Sequence, residues 1–208
     1  MATQETLFTP GRHPSESYED ILDSDAVASP DFYREGVNPS ETLEPYDTSR
    51  YYDPAFFQKE VDYVWPRIWQ WAAREEEIPE IGDHVVFDIA GYSFLIVRSS
   101  DNEIKAFYNS CLHRGRQLVE CDGAGAKVFR CPFHGMSWNV DGSLKVNPFA
   151  WDAPQWEDSD NSLPEVRIST WGGFIFINMD HDAPPLDEVL GPIPEHFSRY
   201  SLEDRYKA

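Results

Sequence analysis

Cysteine is scarce in this chain: there are three in 208 residues, an odd number spaced unlike a secreted disulfide framework. That excludes a scaffold stapled by bridges and points to reduced thiols or metal ligation in a reducing compartment. Positive charge is also short, with 17 Lys and Arg against 37 Asp and Glu and a formal net charge of -20. Such a surface repels phosphate, so nucleic acid and an anionic membrane surface are poor partners. Long apolar runs are missing too. No stretch approaches the roughly 20 residues that cross a bilayer, and the N-terminal residues 1–30 hold no basic segment followed by an apolar run. The expected location is cytoplasmic.

What is abundant favours β-structure. The chain is 41% hydrophobic and 14% aromatic, with 16 prolines and 12 glycines, a mixture that suits short strands and turns over long helices. Four segments are expected. Residues 1–50 carry eleven acids against Arg12, Arg34 and Arg50, and read as an acidic N-terminal arm, partly helical or draped over another surface. Residues 51–66 read as a helix leading into the core. Asp53-Pro54 suits an N-cap followed by proline at the first helical position, Phe56, Phe57, Val61 and Val64 recur at helical spacing, and Pro66 stops the run.

Residues 67–182 read as one antiparallel β domain of roughly seven to nine short strands. The runs RIWQWAA, HVVFDI, YSFLIVR, EIKAFYN, KVFR, MSWNV, LKVN, PEVRIST and GFIFIN are separated by turn signals, Ala90-Gly91 and Asp141-Gly142 being the clearest. Residues 183–208, with Pro184, Pro185, Pro192 and Pro194, read as a loop-like, partly helical linker.

The chemistry concentrates in CLHRGRQLVECDGAGAKVFRCPFHG, residues 111–135. Cys111 and His113 stand two apart, Cys131 and His134 three apart, with seventeen residues between the pairs. Each pair is placed on its own turn and offers one thiolate and one imidazole. The common zinc finger segregates its ligands, cysteines from one knuckle and histidines from a helix, so neither turn here supplies a zinc knuckle alone. A [2Fe-2S] centre held by two thiolates on one iron and two neutral imidazoles on the other needs this mixture. The spacing resembles that of the Rieske family; a structural zinc or protein-interaction module is the alternative. Gly115 and Gly135 let the turns close tightly and bring backbone N–H groups toward the bridging sulfides, and Pro132 stiffens the second. Cys121, in the excursion ECDGAGA, has no histidine at ligand spacing and reads as a non-ligand. His13, His84, His181 and His196 read as surface or hydrogen-bonded histidines.

The resemblance extends further. YNSCLHRGRQL looks like the first cluster loop of the ring-hydroxylating oxygenase large (alpha) subunits, CPFHGMSWNVDGSL like their second, and WGGFIFINMD like the strand that closes their Rieske domain. The lead-in VWPRIWQWAAREEEIPEIGDHVVFDI is similar to theirs, so the likeness covers roughly residues 50–208. It implies a mainly β fold, a Rieske-type antiparallel domain with two cluster-binding hairpin loops, carrying [2Fe-2S] on Cys111, His113, Cys131 and His134. It also implies electron transfer from a ferredoxin or reductase to a mononuclear iron in a catalytic domain, in aromatic-ring hydroxylation by a dioxygenase or monooxygenase of homo-oligomeric form.

Phe133 and Met136 depart from that family's Tyr and Trp. The extra cysteines and sulfur-bonding serine of high-potential Rieske proteins are also missing, since Arg116, Phe133 and Met136 stand in those places. Fewer donors to the sulfurs place the potential nearer about -150 mV than +300 mV.

The histidine pair and distant aspartate that hold the catalytic iron in that family are not found. The chain alone is therefore expected to be inactive on substrate, as the N-terminal electron-transfer part of a large subunit. A free-standing Rieske ferredoxin is the runner-up, disfavoured by the acidic arm and proline-rich tail. Between residues 105 and 145, Lys105, Arg114, Arg116, Lys127, Arg130 and Lys145 face only Glu120, Asp122 and Asp141, a basic surface suited to an acidic redox partner.

Overall fold

The computed structural model describes residues 18–24, 26, 28, 31–34, 47–148 and 161–207. The chain divides into two units, 1–46 and 47–208. In the first, α1 (Tyr18–Ser24) is followed by a 3-10 turn at Asp31–Tyr33, and Arg34 pairs with Asp23 at 2.8 Å. Most of the acidic arm lies outside the described residues.

The second unit opens with a 3-10 turn at Thr48–Tyr51, followed by α2 (Pro54–Tyr63), capped by the Asp53 carboxylate, which accepts from the Ala55 N–H at 2.9 Å. Proline sits at the first helical position because its missing N–H would go unused there. The helix ends before Pro66, since a residue preceding proline is pushed out of the helical region. Its apolar stripe is not buried among the described residues: Phe57 and Val64 are exposed.

Nine strands follow among the described residues: β1 (Gln70–Arg74), β2 (His84–Ile89), β3 (Tyr92–Ser100), β4 (Glu103–Tyr108), β5 (Phe129–Arg130), β6 (Ser137–Trp138), β7 (Leu144–Val146), β8 (Arg167–Trp171) and β9 (Phe174–Asn178). They form three antiparallel sheets of three strands, ordered β1-β9-β8, β2-β3-β4 and β5-β6-β7. The Ala90-Gly91 turn has positive φ at both residues, the geometry that matches strand twist in a two-residue hairpin. Two short helices, α3 (Leu186–Leu190) and α4 (Ile193–Phe197), lie in the proline-rich tail.

The sequence reading of one β domain resolves into two cores that share a sheet. Along β3, side chains alternate between faces with period two. Phe94 and Ile96 join Ala73, Ile78, Val85, Ala106, Val166, Ile175 and Ile177. Leu95 and Val97 face the other way, toward Phe107, Leu118, Phe129, Met136, Trp138, Leu163 and both Cys111 and Cys131. A strand buried on both faces reads as a continuous apolar run, which is why FLIV shows no alternation. The second core places the two cysteines.

Candidate metal centre

The two cysteine turns repeat one main-chain pattern. In the first, after β4, the Cys111 N–H donates to the Arg116 carbonyl at 2.8 Å and the Gly115 N–H returns to the Cys111 carbonyl at 2.8 Å. In the second, between β5 and β6, the Cys131 N–H donates to the Met136 carbonyl at 2.8 Å and the Gly135 N–H to the Cys131 carbonyl at 3.0 Å. The chain reverses at the glycine four residues after each cysteine, with φ of +69° at Gly115 and +81° at Gly135. Only glycine takes that conformation without a Cβ penalty. The tight turn expected at both residues is present.

Both sulfurs point into the second core, each cysteine being 3% exposed, and both thiols are free. They are near enough to share a hydrogen bond. Backbone N–H groups converge on each: those of His113 and Arg114 on Cys111, those of Phe133 and His134 on Cys131. Burial pushes the Cys111 thiol up. Burial acts the same way on Cys131, but the Phe133 and His134 N–H groups, the Cys111 thiol and the Arg116 charge outweigh it and lower that thiol. Donors aimed at sulfur favour thiolate, the form that binds metal.

The imidazoles collect beside each other. His113 is exposed and His134 half-buried, and their ring centroids lie 4.9 Å apart at 61°. Phe133 lies over His134 at 3.8 Å and 31° and is itself 58% exposed, with Leu112 40% exposed on the first turn. The four sequence-predicted residues are therefore sorted by the fold into a sulfur pair and an imidazole pair. Met136 is buried beneath the second turn, which uses only its carbonyl.

The other candidates fall away from this place. Cys121 is exposed in the connecting segment. His84 is buried, its Nδ1 3.1 Å from the Gly82 carbonyl and its ring edge-on to Phe129 at 5.3 Å, a packing role. His13 lies outside the described residues. The basic surface is partly neutralised: Lys105 pairs with Glu165 at 2.8 Å and Arg116 with Glu120, leaving Arg114, Lys127, Arg130 and Lys145 exposed. Sequence reasoning missed Asn109, a buried polar residue two positions before Cys111 that binds Leu118 and Val119.

Residues 68–157 match the Rieske [2Fe-2S] domain family. The chain is 35% identical over 146 residues to the biphenyl 2,3-dioxygenase subunit alpha of Rhodococcus jostii (strain RHA1), covering 70% of this chain and 32% of that protein. It is 33% identical over 140 residues to the carnitine monooxygenase oxygenase subunit of Escherichia coli (strain K12), covering 67% and 37%. Among solved structures it resembles the apo form of the quaternary ammonium Rieske monooxygenase CntA, with a TM-score of 0.70 and 26% identity over 74% of this chain and 45% of that one. The chain thus spans about a third of the length of the curated relatives it matches. Residues 68–157 are a Rieske [2Fe-2S] domain, and over that region the chain is a relative of the Rieske oxygenase alpha subunits.

Proposed function

We propose that Cys111 and Cys131 hold one iron of the cluster and His113 and His134 the other, and that the domain relays electrons into oxygenase chemistry. One observation carries the assignment: two copies of one turn bring thiol to thiol and imidazole to imidazole. That two-and-two donor set fits the Rieske cluster, in which histidine replaces cysteine on one iron. When bound, the cluster supplies one-electron transfer; the residues around it supply shape and charge. Backbone N–H groups at each sulfur stabilise negative charge there. Phe133 and Leu112 present an apolar tip through which a partner can approach the exposed imidazole edge.

The donor is an acidic ferredoxin or a reductase, attracted by Arg114, Lys127, Arg130 and Lys145. The acceptor is a mononuclear iron of a catalytic domain lying outside these residues, in the same or a neighbouring subunit. The relatives act on biphenyl in one case and carnitine in another by their names, so no substrate class is singled out. The test is metal and sulfide analysis with a visible spectrum of the purified chain. The expected result is about two iron and two acid-labile sulfide per chain, with donor-driven reduction that slows as salt is added. A third tightly bound iron with oxygen-dependent turnover of substrate, or a colourless zinc-loaded protein, would sink the reading.

A further inference from the structure

The two turns share their main-chain bonding but are not closed in the same way. The second stands on a strand ladder, Phe129 opposite Trp138 and Arg130 opposite Ser137, and the Ser137 hydroxyl donates to the Gly135 carbonyl at 3.0 Å. The first leaves β4 and returns through residues 116–119, which form no strand. One side chain bridges its two ends. Asn109 is 2% exposed. Its Oδ1 accepts from the N–H groups of Leu118 at 3.2 Å and Val119 at 3.0 Å, while its Nδ2 donates to the Val119 carbonyl at 2.7 Å and the Ser93 hydroxyl at 3.2 Å. Its own N–H is held by the Ser93 carbonyl at 2.9 Å.

A side-chain amide offers two donors and an acceptor oxygen with two lone pairs, and here all of that capacity is used inside the protein. Ser93 Oγ also accepts from Gln117 Nε2 at 3.3 Å, so the start and the return of the turn meet on one strand residue. Leu118, next to the bonded amides, is buried in the same core as both cysteines. Apolar contact keeps this return segment collapsed, but it has no direction; the amide bonds set its register.

We infer that Asn109 is the positioning residue of the first turn, standing in for the missing ladder and fixing where Cys111 and His113 lie relative to Cys131 and His134. The inference rests on the ligand assignment proposed above. Removing the amide leaves the buried Leu118 N–H, the part-buried Val119 N–H and the Val119 carbonyl with lost partners, so the return segment opens locally while the three sheets stay intact.

The experiment compares wild type, Asn109→Ala, Ser93→Ala and Asn139→Ala. Asn139 serves as the control, because its amide donates to Ser143 Oγ at 3.0 Å, away from the first turn. In the metal-free chains, amide exchange at Leu118 and Val119 is expected to rise about tenfold or more in Asn109→Ala, less in Ser93→Ala, and not at all in the control. In the reconstituted chains, Asn109→Ala is expected to lose iron to a chelator about tenfold faster and to show an altered visible circular dichroism band, with the control unchanged. Unchanged exchange at both amides in Asn109→Ala and Ser93→Ala overturns the proposal. So does faster exchange combined with wild-type iron release and an unaltered spectrum, which would leave Asn109 a stability residue alone. If Asn109→Ala does not fold, Ser93→Ala decides on the same readouts. A wild-type chain that takes up no iron and sulfide removes the ligand assignment, and the exchange measurement then decides whether Asn109 holds the turn at all.

Discussion

His113 and His134 bring their rings to 4.9 Å although they occupy different places in their turns, the third residue of one and the fourth of the other. The main chain that carries them is the same in both, so the one-residue offset aims the two side chains at a common place from opposite loops. Alanine at Cys111, His113, Cys131 or His134 is expected to reduce bound iron and sulfide from about two of each per chain to near zero. Cys121→Ser should leave both contents unchanged. Retention of a full complement by any of the four alanine variants, measured by metal and sulfide analysis, removes that residue from the set.

Potential follows from what surrounds the sulfurs. The Ser137 hydroxyl, at the start of β6 just after the second turn, donates to the Gly135 carbonyl, and Met136 offers no donor. With backbone N–H groups on both cysteines and no side-chain hydroxyl against either sulfur among the described residues, reduction is less favoured, and the midpoint is expected toward about -150 mV rather than +300 mV. Electrochemical titration giving a value above about +100 mV, on the same scale, contradicts this.

Gly115 and Gly135 allow a matched test of backbone strain. A Cβ at Gly115 meets nothing closer than Ser110 Oγ at 3.8 Å, and one at Gly135 meets the mobile end of Arg130 at 3.0 Å. Conformation, not crowding, therefore sets the cost of alanine at both, about 1–2 kcal/mol each for a left-handed residue. Denaturant unfolding of the two variants should give nearly equal losses. A Gly135→Ala loss several times larger would mean that Arg130 cannot move aside.

One surface carboxylate gives a stability change with a defined sign. Asp141 is held below the ordinary carboxylate range by the hydrogen bond from the Ser143 hydroxyl, then by the Ser143 N–H. A folded-state pKa below the unfolded one adds stability above the unfolded value near about 4 and loses it as pH falls through the folded value. Asp141→Ala should therefore be less stable than wild type at neutral pH, by about 1 kcal/mol or less because the group is solvent-screened. The gap should close below pH about 4. A gap that persists unchanged in strong acid assigns the loss to the turn and not to the charge.

Much of this was legible in the sequence because it is written in short-range patterns. The strands announce themselves by β-branched and aromatic runs, and the two turns by cysteine, histidine and glycine at fixed offsets. The run FLIV in β3 identifies a strand but cannot say that its two faces serve different cores, because that depends on residues as distant as Ile177 and Leu163. Asn109 left no periodic signal; its partners Leu118 and Val119 are nine and ten residues away, and an isolated asparagine before a turn reads as ordinary loop chemistry. The helical spacing of Phe56, Phe57, Val61 and Val64 does mark a helix, yet none of these side chains is fully buried: Phe56 and Val61 are half-buried, and Phe57 and Val64 are exposed. The basic surface is smaller than the charges of residues 105–145 imply, since Glu165, which pairs with Lys105, lies far outside that stretch.

Returning the chain on a glycine after the same two hydrogen bonds makes the turn indifferent to what stands between its ends. Leu112-His113-Arg114 and Pro132-Phe133-His134 follow one path with different contents. In the vocabulary of design, trajectory and payload are separate variables here: a ligand can be slid along the loop by one position without rebuilding the scaffold that presents it.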